Sequence, residues 1–204
     1  MTNFGAYLMV DWSANNKPKR GEDSIWYCLV TRRSDQPLVE RWANPPTRYK
    51  AISEIGYQLA ELHSERMSTL VGFDFHYGYP AGLAKALGLS GGPPWRMIWD
   101  YLHFHIEDKP DNQSNRFEVA ALTNKRVSGG VYPFWGCPRG RRLRHLKPTK
   151  PERPPAKSLD DLRLTDKWAK EKGHRIWSPW QLMGAGAVGS QALVGIPHLS
   201  LIHI

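Results

Sequence analysis

The chain has 204 residues, a formal net charge of +9, and 41% hydrophobic and 23% charged residues, which are the values of an ordinary globular protein with a real core. Two cysteines, Cys28 and Cys137, exclude a disulfide framework and an all-cysteine zinc site. No signal-peptide pattern and no apolar run near 18 residues is recognisable, so we expect a cytoplasmic location and no membrane partner. The positive charge favours a polyanionic partner such as nucleic acid, with a solvated basic surface as the alternative.

The first half of the sequence predicts a β-β-β-α-β order. Strand patterns cover residues 6–10, 24–31, 38–42 and 69–75, each bounded by turn residues. After Pro45 and Pro46, Thr47 is placed to cap a helix that continues to about Met67. Its apolar positions recur at three- and four-residue spacing and form one face: Ile52, Ile55, Leu59 and Leu62. We therefore predict an antiparallel meander followed by a helical crossover to a parallel strand.

Two aspartates stand at the ends of the first and fourth strand patterns. If these strands are parallel neighbours, Asp11 and Asp74 meet at one edge of the sheet. Adjacent carboxylates repel unless a hard cation such as Mg²⁺ or Mn²⁺ lies between them, and paired metals of this kind serve phosphodiester hydrolysis. The alternative is that both aspartates only cap strand or helix ends.

The second half is richer in loops. Helix patterns cover residues 81–87, 94–105, 117–124 and 158–172, and residues 136–157 form a basic, proline-rich connector without periodicity. We expect this connector to belong to a single domain that spans residues 1–204. In the helix pattern of 158–172, Leu159, Leu162 and Trp168 are the candidates for the inward face.

Histidines and glycines supply weaker signals. His76 would share a face with Asp74 if the strand continued, and could then orient water or donate a proton, although a turn histidine is the plainer interpretation. His103 and His105 lie two residues apart on a helix and do not face one another. The GAGAVG segment at 184–189 matches a dinucleotide motif, but its surroundings favour a tight glycine turn before a helix, without cofactor binding.

The basic connector is a candidate surface for nucleic acid. Its cations include Arg139, Arg141, Arg142, Arg144 and Lys147. They could contact phosphates while the flanking Trp135 and Trp168 stack on bases. The alternative is a solvated loop, with those tryptophans in the core.

The segments YLMVDWSANNKPKRGEDSIW and LVGFDFHYGYPAGL resemble the DUF429 family of predicted nucleases. The later segments NRFEVAALTN, YPFWGCP, LRLTDKWA and SPWQLMGAGAVGSQALVGIP are also similar to bacterial members. The resemblance implies a ribonuclease H-like sheet with strand order 3-2-1-4, and Asp11 and Asp74 as leading ligands of Mg²⁺ or Mn²⁺. A further acid is expected beyond residue 204, in a chain truncated at its C-terminus, with Glu118 and Asp166 as weaker candidates within it.

We therefore expect a metal-dependent nuclease or nucleic-acid-processing protein that acts on phosphodiesters, with Asp11, Asp74 and His76 in its catalytic site. A Mg²⁺-dependent phosphotransferase or ATPase of the same fold superfamily is the first alternative, in which Ser13 would meet a phosphate. A non-catalytic binding protein is the second. The oligomeric state is left open.

Overall fold

The structure, a computed structural model, describes residues 4–32, 37–141, 143–152, 159–184 and 186–202. The chain divides into two units by its internal contacts. Unit 1 contains the chain up to Asp74 together with Asp108–Ser114, and unit 2 contains Phe75–Glu107 and the chain from Asn115 onward. Whether they form the single domain expected from the sequence stays a prediction.

Unit 1 contains a mixed four-stranded sheet. The strands are β1 (Ala6–Asp11), β2 (Trp26–Thr31), β3 (Val39–Ala43) and β4 (Thr69–Phe73). Their order is β3-β2-β1-β4, with antiparallel β1/β2 and β2/β3 pairs and a parallel β1/β4 pair. The predicted β-β-β-α-β start and strand order are confirmed, and this topology is consistent with a ribonuclease H-like fold.

Helix α1 (Arg48–Ser64) makes the crossover between β3 and β4. Its N-cap is Thr47, whose side chain accepts a hydrogen bond from the Lys50 N–H at 3.2 Å. Ile55 is fully buried on this helix, and Leu8 is fully buried on β1. Tyr27 of β2 donates its hydroxyl to Glu54 of α1 at 3.2 Å, so the helix lies on the sheet face that carries Leu8 and Tyr27. Burial of this face supplies the core of unit 1.

Unit 2 is helical where it is regular. Its helices are α2 (Leu83–Ala86), α3 (Pro94–His105), α4 (Arg116–Ser128), α5 (Leu164–Glu171) and α6 (Gly189–Ile202). The bounds of α3 match the prediction, and α4 extends it at both ends. The main helix packing joins α3 to α6. None of the described helices combines the length and the apolar character needed to cross a bilayer.

Helix α5 is shorter than its predicted pattern, because it begins only at Leu164. Asp166 sets this start, since its carboxylate accepts the backbone N–H of Arg163 at 2.9 Å, as in a capping box. Leu159 is buried, as expected, but it precedes the helix. Trp168 is 60% exposed, so the prediction that it faces inward was wrong.

The loop between α4 and α5 is held by one buried amide. Asn124 is fully buried, and its side chain donates to the carbonyls of Val131, Phe134 and His145 at 2.7–3.1 Å. It also accepts the Phe134 N–H at 2.7 Å. These bonds satisfy backbone groups that no regular element would pair. Phe134 then packs edge-on against Trp180 in the core of unit 2.

Candidate functional site

The two predicted aspartates meet at one edge of the sheet in unit 1. Asp11 is the last residue of β1, and Asp74 directly follows β4. Because β1 and β4 are parallel, their C-terminal ends lie side by side. The Asp74 N–H donates to the Val10 carbonyl at 3.2 Å, which extends the pairing to the point where both side chains emerge.

The Asp74 carboxyl group is in an environment that disfavours its charge. Partial withdrawal from water, together with the charge and a hydrogen bond of the neighbouring Asp11 carboxyl, raises its pKa to about 6, and the Trp12 N–H opposes this shift. The Trp12 N–H lies 2.8 Å from Asp74 Oδ1. The Asp74 side chain keeps solvent-exposed surface, so this withdrawal is incomplete.

Two carboxylates in contact require either a shared proton or a cation. All the free acceptor atoms here are hard oxygens, the type that Mg²⁺ and Mn²⁺ prefer. The pair therefore fits a divalent cation, with Asp11 and Asp74 as its protein ligands. Within the described ranges, no third acid, histidine or cysteine joins them in a cluster able to hold a metal ion.

A buried arginine fixes the loop that follows Asp11. Arg48 is fully buried in the first turn of α1, and its guanidinium donates to the carbonyls of Ser13 and Asn15 at 3.1 and 2.8 Å. The same group forms a bidentate pair with Asp108 at 2.6 Å and donates to the Asn112 carbonyl at 2.7 Å. Sequence reasoning missed this role, because the partners lie 33 to 64 residues away along the chain.

The sheet face opposite α1 forms an open groove beside the carboxylates. The groove has a volume of about 580 Å³ and is lined by residues of all four strands, both aspartates included. Its lining includes Met9, Trp26 and Trp42, which are 44%, 39% and 67% exposed. The groove could not be predicted from the sequence, because apolar residues in a strand pattern look the same whether the sheet face is covered or open.

Gly72 lines the groove on β4, where the lack of a side chain leaves room for Met9. A side chain at that position would place its Cβ 2.7 Å from the Met9 Sδ, closer than two such atoms can approach. Met9 and Gly72 are paired across β1 and β4. The absence of a side chain at Gly72 therefore lets Met9 lie across the strand and leaves the surface open above it.

His76 lies in unit 2, beyond the end of β4, so the premise that the strand continues through it does not hold. Burial and then the charge of Arg163 lower its pKa to about 4, with Asp166 opposing the shift in part. Its Nδ1 is buried and, within the described residues, has no hydrogen-bond partner. An imidazole with this pKa is neutral at pH 7, so it can orient water but does not act as a general acid. Its catalytic role stays a prediction.

The two weaker acid candidates have structural partners in unit 2. Glu118 lies in the first turn of α4 and is paired with Arg141. Asp166 is buried and forms a bidentate pair with Arg163, with bonds of 2.9 and 2.6 Å. Burial alone would raise the pKa of Asp166, but the hydrogen bonds from Arg163 outweigh it and hold the pKa below its usual value. Both acids match the capping or surface interpretation, and a further role for either stays a prediction.

The described part of the basic connector, residues 136–141 and 143–152, is held by specific contacts. The Gly136 N–H donates to the Lys147 carbonyl at 2.8 Å, and Leu143 forms a bridge with Leu146, which is buried. Of the predicted cations, Arg139, Arg144 and Lys147 are exposed, Arg141 is half-buried, and Arg142 lies outside the described residues. Three exposed cations remain available for a polyanion, and contact with nucleic acid stays a prediction.

The glycine motif before α6 forms a turn, as expected. The Ala187 N–H donates to the Gly184 carbonyl at 3.0 Å, and the Gly189 N–H donates to the Gln181 carbonyl at 3.0 Å. Since the first N–H of the helix already has a carbonyl partner, it is not available to hold a phosphate.

Comparisons of this chain with protein-family models, with curated proteins and with solved structures returned no match in any of the three. The topology and the carboxylate pair therefore carry the functional argument.

Proposed function

We propose that this protein is a divalent-metal-dependent nuclease, or a nucleic-acid-processing protein that acts on phosphodiesters, of the kind its resemblance to the DUF429 family implies. The observation that carries the proposal is the contact between the Asp11 and Asp74 carboxyl groups at the shared edge of the parallel strands β1 and β4. In isolation this contact is unfavourable, and it becomes favourable when a hard cation neutralises it.

Asp11 and Asp74 would hold Mg²⁺ or Mn²⁺, and such an ion activates water and stabilises the charge on a leaving oxygen. The chain's own contribution is positional. The Trp12 N–H orients the Asp74 carboxylate, and Arg48 fixes the loop after Asp11 through the Ser13 carbonyl. The exposed cations of the connector supply charge for a phosphate backbone.

The phosphotransferase alternative has less support from the site. Ser13 was the residue expected to meet a phosphate in that class. Its hydroxyl instead donates to the Asp23 carbonyl at 3.3 Å and accepts the Asn15 N–H at 3.2 Å. A hydroxyl held in such a local turn is not directed at a ligand.

The test is Mn²⁺ binding by calorimetry with wild type, Asp74→Asn and Asp23→Asn. Asparagine keeps an oxygen that accepts the Trp12 N–H, so Asp74→Asn should retain its fold and lose Mn²⁺ affinity by at least about 100-fold. Asp23 is a strongly exposed acid of the same unit that does not line the groove, and its substitution makes the same charge change. Equal Mn²⁺ affinity in all three proteins would refute the proposal.

Cleavage is tested separately with a labelled oligonucleotide in the presence of Mn²⁺. Wild type should release shorter products, while Asp11→Asn and Asp74→Asn should not. Circular dichroism of each variant shows whether the fold is intact. Metal binding without any cleavage would retain the site and remove the nuclease assignment.

A further inference from the structure

The open groove exposes two large aromatic side chains of a type that is usually largely buried in globular proteins. Trp26 and Trp42 are 39% and 67% exposed, and Met9 beside them is 44% exposed. All three line one continuous groove rather than standing singly on the surface. A contiguous exposed apolar patch of this kind marks a binding surface more often than an ordinary stretch of surface does.

The strand register places the aromatic rings next to the carboxylates. Trp26 is directly opposite Asp11 across β1 and β2, and Trp42 is opposite Cys28 one strand further out. Neighbouring strands are about 4.8 Å apart, so Trp26 lies about one strand spacing from Asp11. Trp42 lies two strands out, level with Met9 and two residues along the strand from Asp11. The first separation is on the scale of that between a nucleobase and its own phosphate.

The ring of Trp26 is held in place within unit 1. Its Nε1–H donates to the Gly21 carbonyl at 3.0 Å. A ring that is already fixed loses little freedom when a planar group stacks on it. Trp42, on the edge strand β3, is the more exposed of the two, so it offers the larger free surface.

The acidic side chains that line the groove determine when a phosphate can bind there. Asp11, Asp74 and Glu40 all line it, and no lysine or arginine does so among its lining residues. A phosphate is repelled by these acids unless a divalent cation is bound. Binding in the groove should therefore depend on metal, whereas binding to the exposed cations of the connector should not.

We propose that the groove binds an unpaired base of a single-stranded nucleic acid, with Trp26 and Trp42 stacking on the base beside a phosphate at Asp11 and Asp74. Stacking requires a free base face, which a duplex does not offer, and exposed aromatic residues on a sheet bind single strands in this way. The inference rests on the proposed function, because the metal must be present to admit the phosphate.

The test compares two fluorescent octamers of equal charge in the presence of Mn²⁺. One is oligothymidylate and the other is an abasic octamer, and both carry phosphorothioate linkages that resist cleavage. Anisotropy should show about 10-fold tighter binding of oligothymidylate by wild type. Trp42→Ala should remove that preference, and Trp42→Phe should retain much of it because the aromatic face remains.

Trp95→Ala is the matched control. Trp95 is 47% exposed on α3 in unit 2, so its loss removes a comparable indole without touching the groove. This variant should keep the full preference for oligothymidylate. Trp42 lies on an edge strand and is mostly exposed, so Trp42→Ala should fold, and a thermal melt checks this.

These measurements distinguish failure of the stacking inference from failure of the proposed function. Normal Mn²⁺ affinity with equal binding of the two octamers refutes base stacking and leaves the metal site standing. Absence of Mn²⁺ affinity in wild type refutes the proposed function, and the stacking inference falls with it. A dimer in sedimentation that buries Trp42 and excludes the octamers would make a second copy the occupant and would also refute the inference.

Discussion

Four aspartates of the described residues, Asp11, Asp74, Asp108 and Asp166, fall into two pairs that differ in their nearest charged neighbour. At the sheet edge of unit 1, Asp74 faces another carboxyl group, and its pKa is raised to about 6 by partial withdrawal from water and by Asp11. In unit 2, Asp166 is buried more deeply, yet its pKa is lowered because Arg163 pairs with it. Asp108 in unit 1 is likewise paired with Arg48. Burial alone therefore does not distinguish these acids, whereas the sign of the neighbouring charge does.

The difference teaches which acids are available to a ligand. An acid paired with arginine already has its counter-charge and stabilises the fold, as Asp108 and Asp166 do. An acid facing another acid costs stability until a cation or proton arrives. A substitution should therefore lower stability in the first group and raise it in the second.

The largest expected effect is at Arg48. Arg48→Met should lower the free energy of unfolding by about 3–5 kcal/mol, because Asp108 would lose its guanidinium partner while 7% exposed. Urea denaturation measures the change. Adding Asp108→Leu to this variant should restore part of the loss, since no charge then remains buried there. A variant as stable as wild type would contradict the role assigned to this pair.

Asp166→Asn should have a smaller effect of the same sign. Loss of the charge-assisted bonds from Arg163 should lower stability at pH 7 by about 2 kcal/mol. The pKa of Asp166 is lowered in the folded state, so its contribution is present above the unfolded value near 4 and is lost as pH falls through the folded pKa. Denaturation at pH 7 and at pH 2 should show the gap between variant and wild type closing in acid.

Metal binding should also weaken in acid, but at a higher pH than that at which the contribution of Asp166 is lost. With the pKa of Asp74 at about 6, a proton competes with the cation below that pH, so Mn²⁺ affinity should fall about 5-fold between pH 6 and pH 5. Calorimetry at the two pH values measures this change. An affinity that stays constant from pH 7 to pH 5 would show that Asp74 is not a ligand.

The smallest effect is a gain in stability. Without metal, Asp74→Asn should raise the free energy of unfolding at pH 7 by about 1 kcal/mol, a modest value because the side chain keeps solvent-exposed surface. The raised pKa means that folded wild type binds more protons between about pH 4 and pH 6, so its stability falls as pH rises through that window. Excess Mn²⁺ should stabilise wild type and leave the variant unchanged.

The sheet and its acidic edge were predictable from local patterns. The strand ends at Asp11 and Asp74, the helix between them and the crossover rule together place the two carboxylates side by side. The sequence pattern extended β4 to Phe75, two residues past its end, because Phe75 is apolar and continues the strand pattern. Phe75 is instead a core residue of unit 2, where its ring lies against Gly195.

The remaining features depend on contacts between distant segments. The carbonyl partners of Arg48 and Asn124 belong to loops, and no residue pattern in either loop predicts these hydrogen bonds. The exposure of Trp42 depends on what covers a sheet face, which the strand sequence does not encode. Trp95 and Trp168 of unit 2 are exposed as well, so residue type alone does not tell which tryptophans lie in the core.

The chain order of unit 1 has a consequence for how the site forms. The chain leaves this unit at Asp74 and returns at Asp108, and only then do Asp108 and Asn112 bind Arg48. A fragment ending at Asp74 would contain both site carboxylates but would leave the guanidinium of Arg48 without these partners. During vectorial synthesis, the loop after Asp11 should therefore become ordered only once residue 112 has left the ribosome, so the acidic edge is complete long after its own residues have been made.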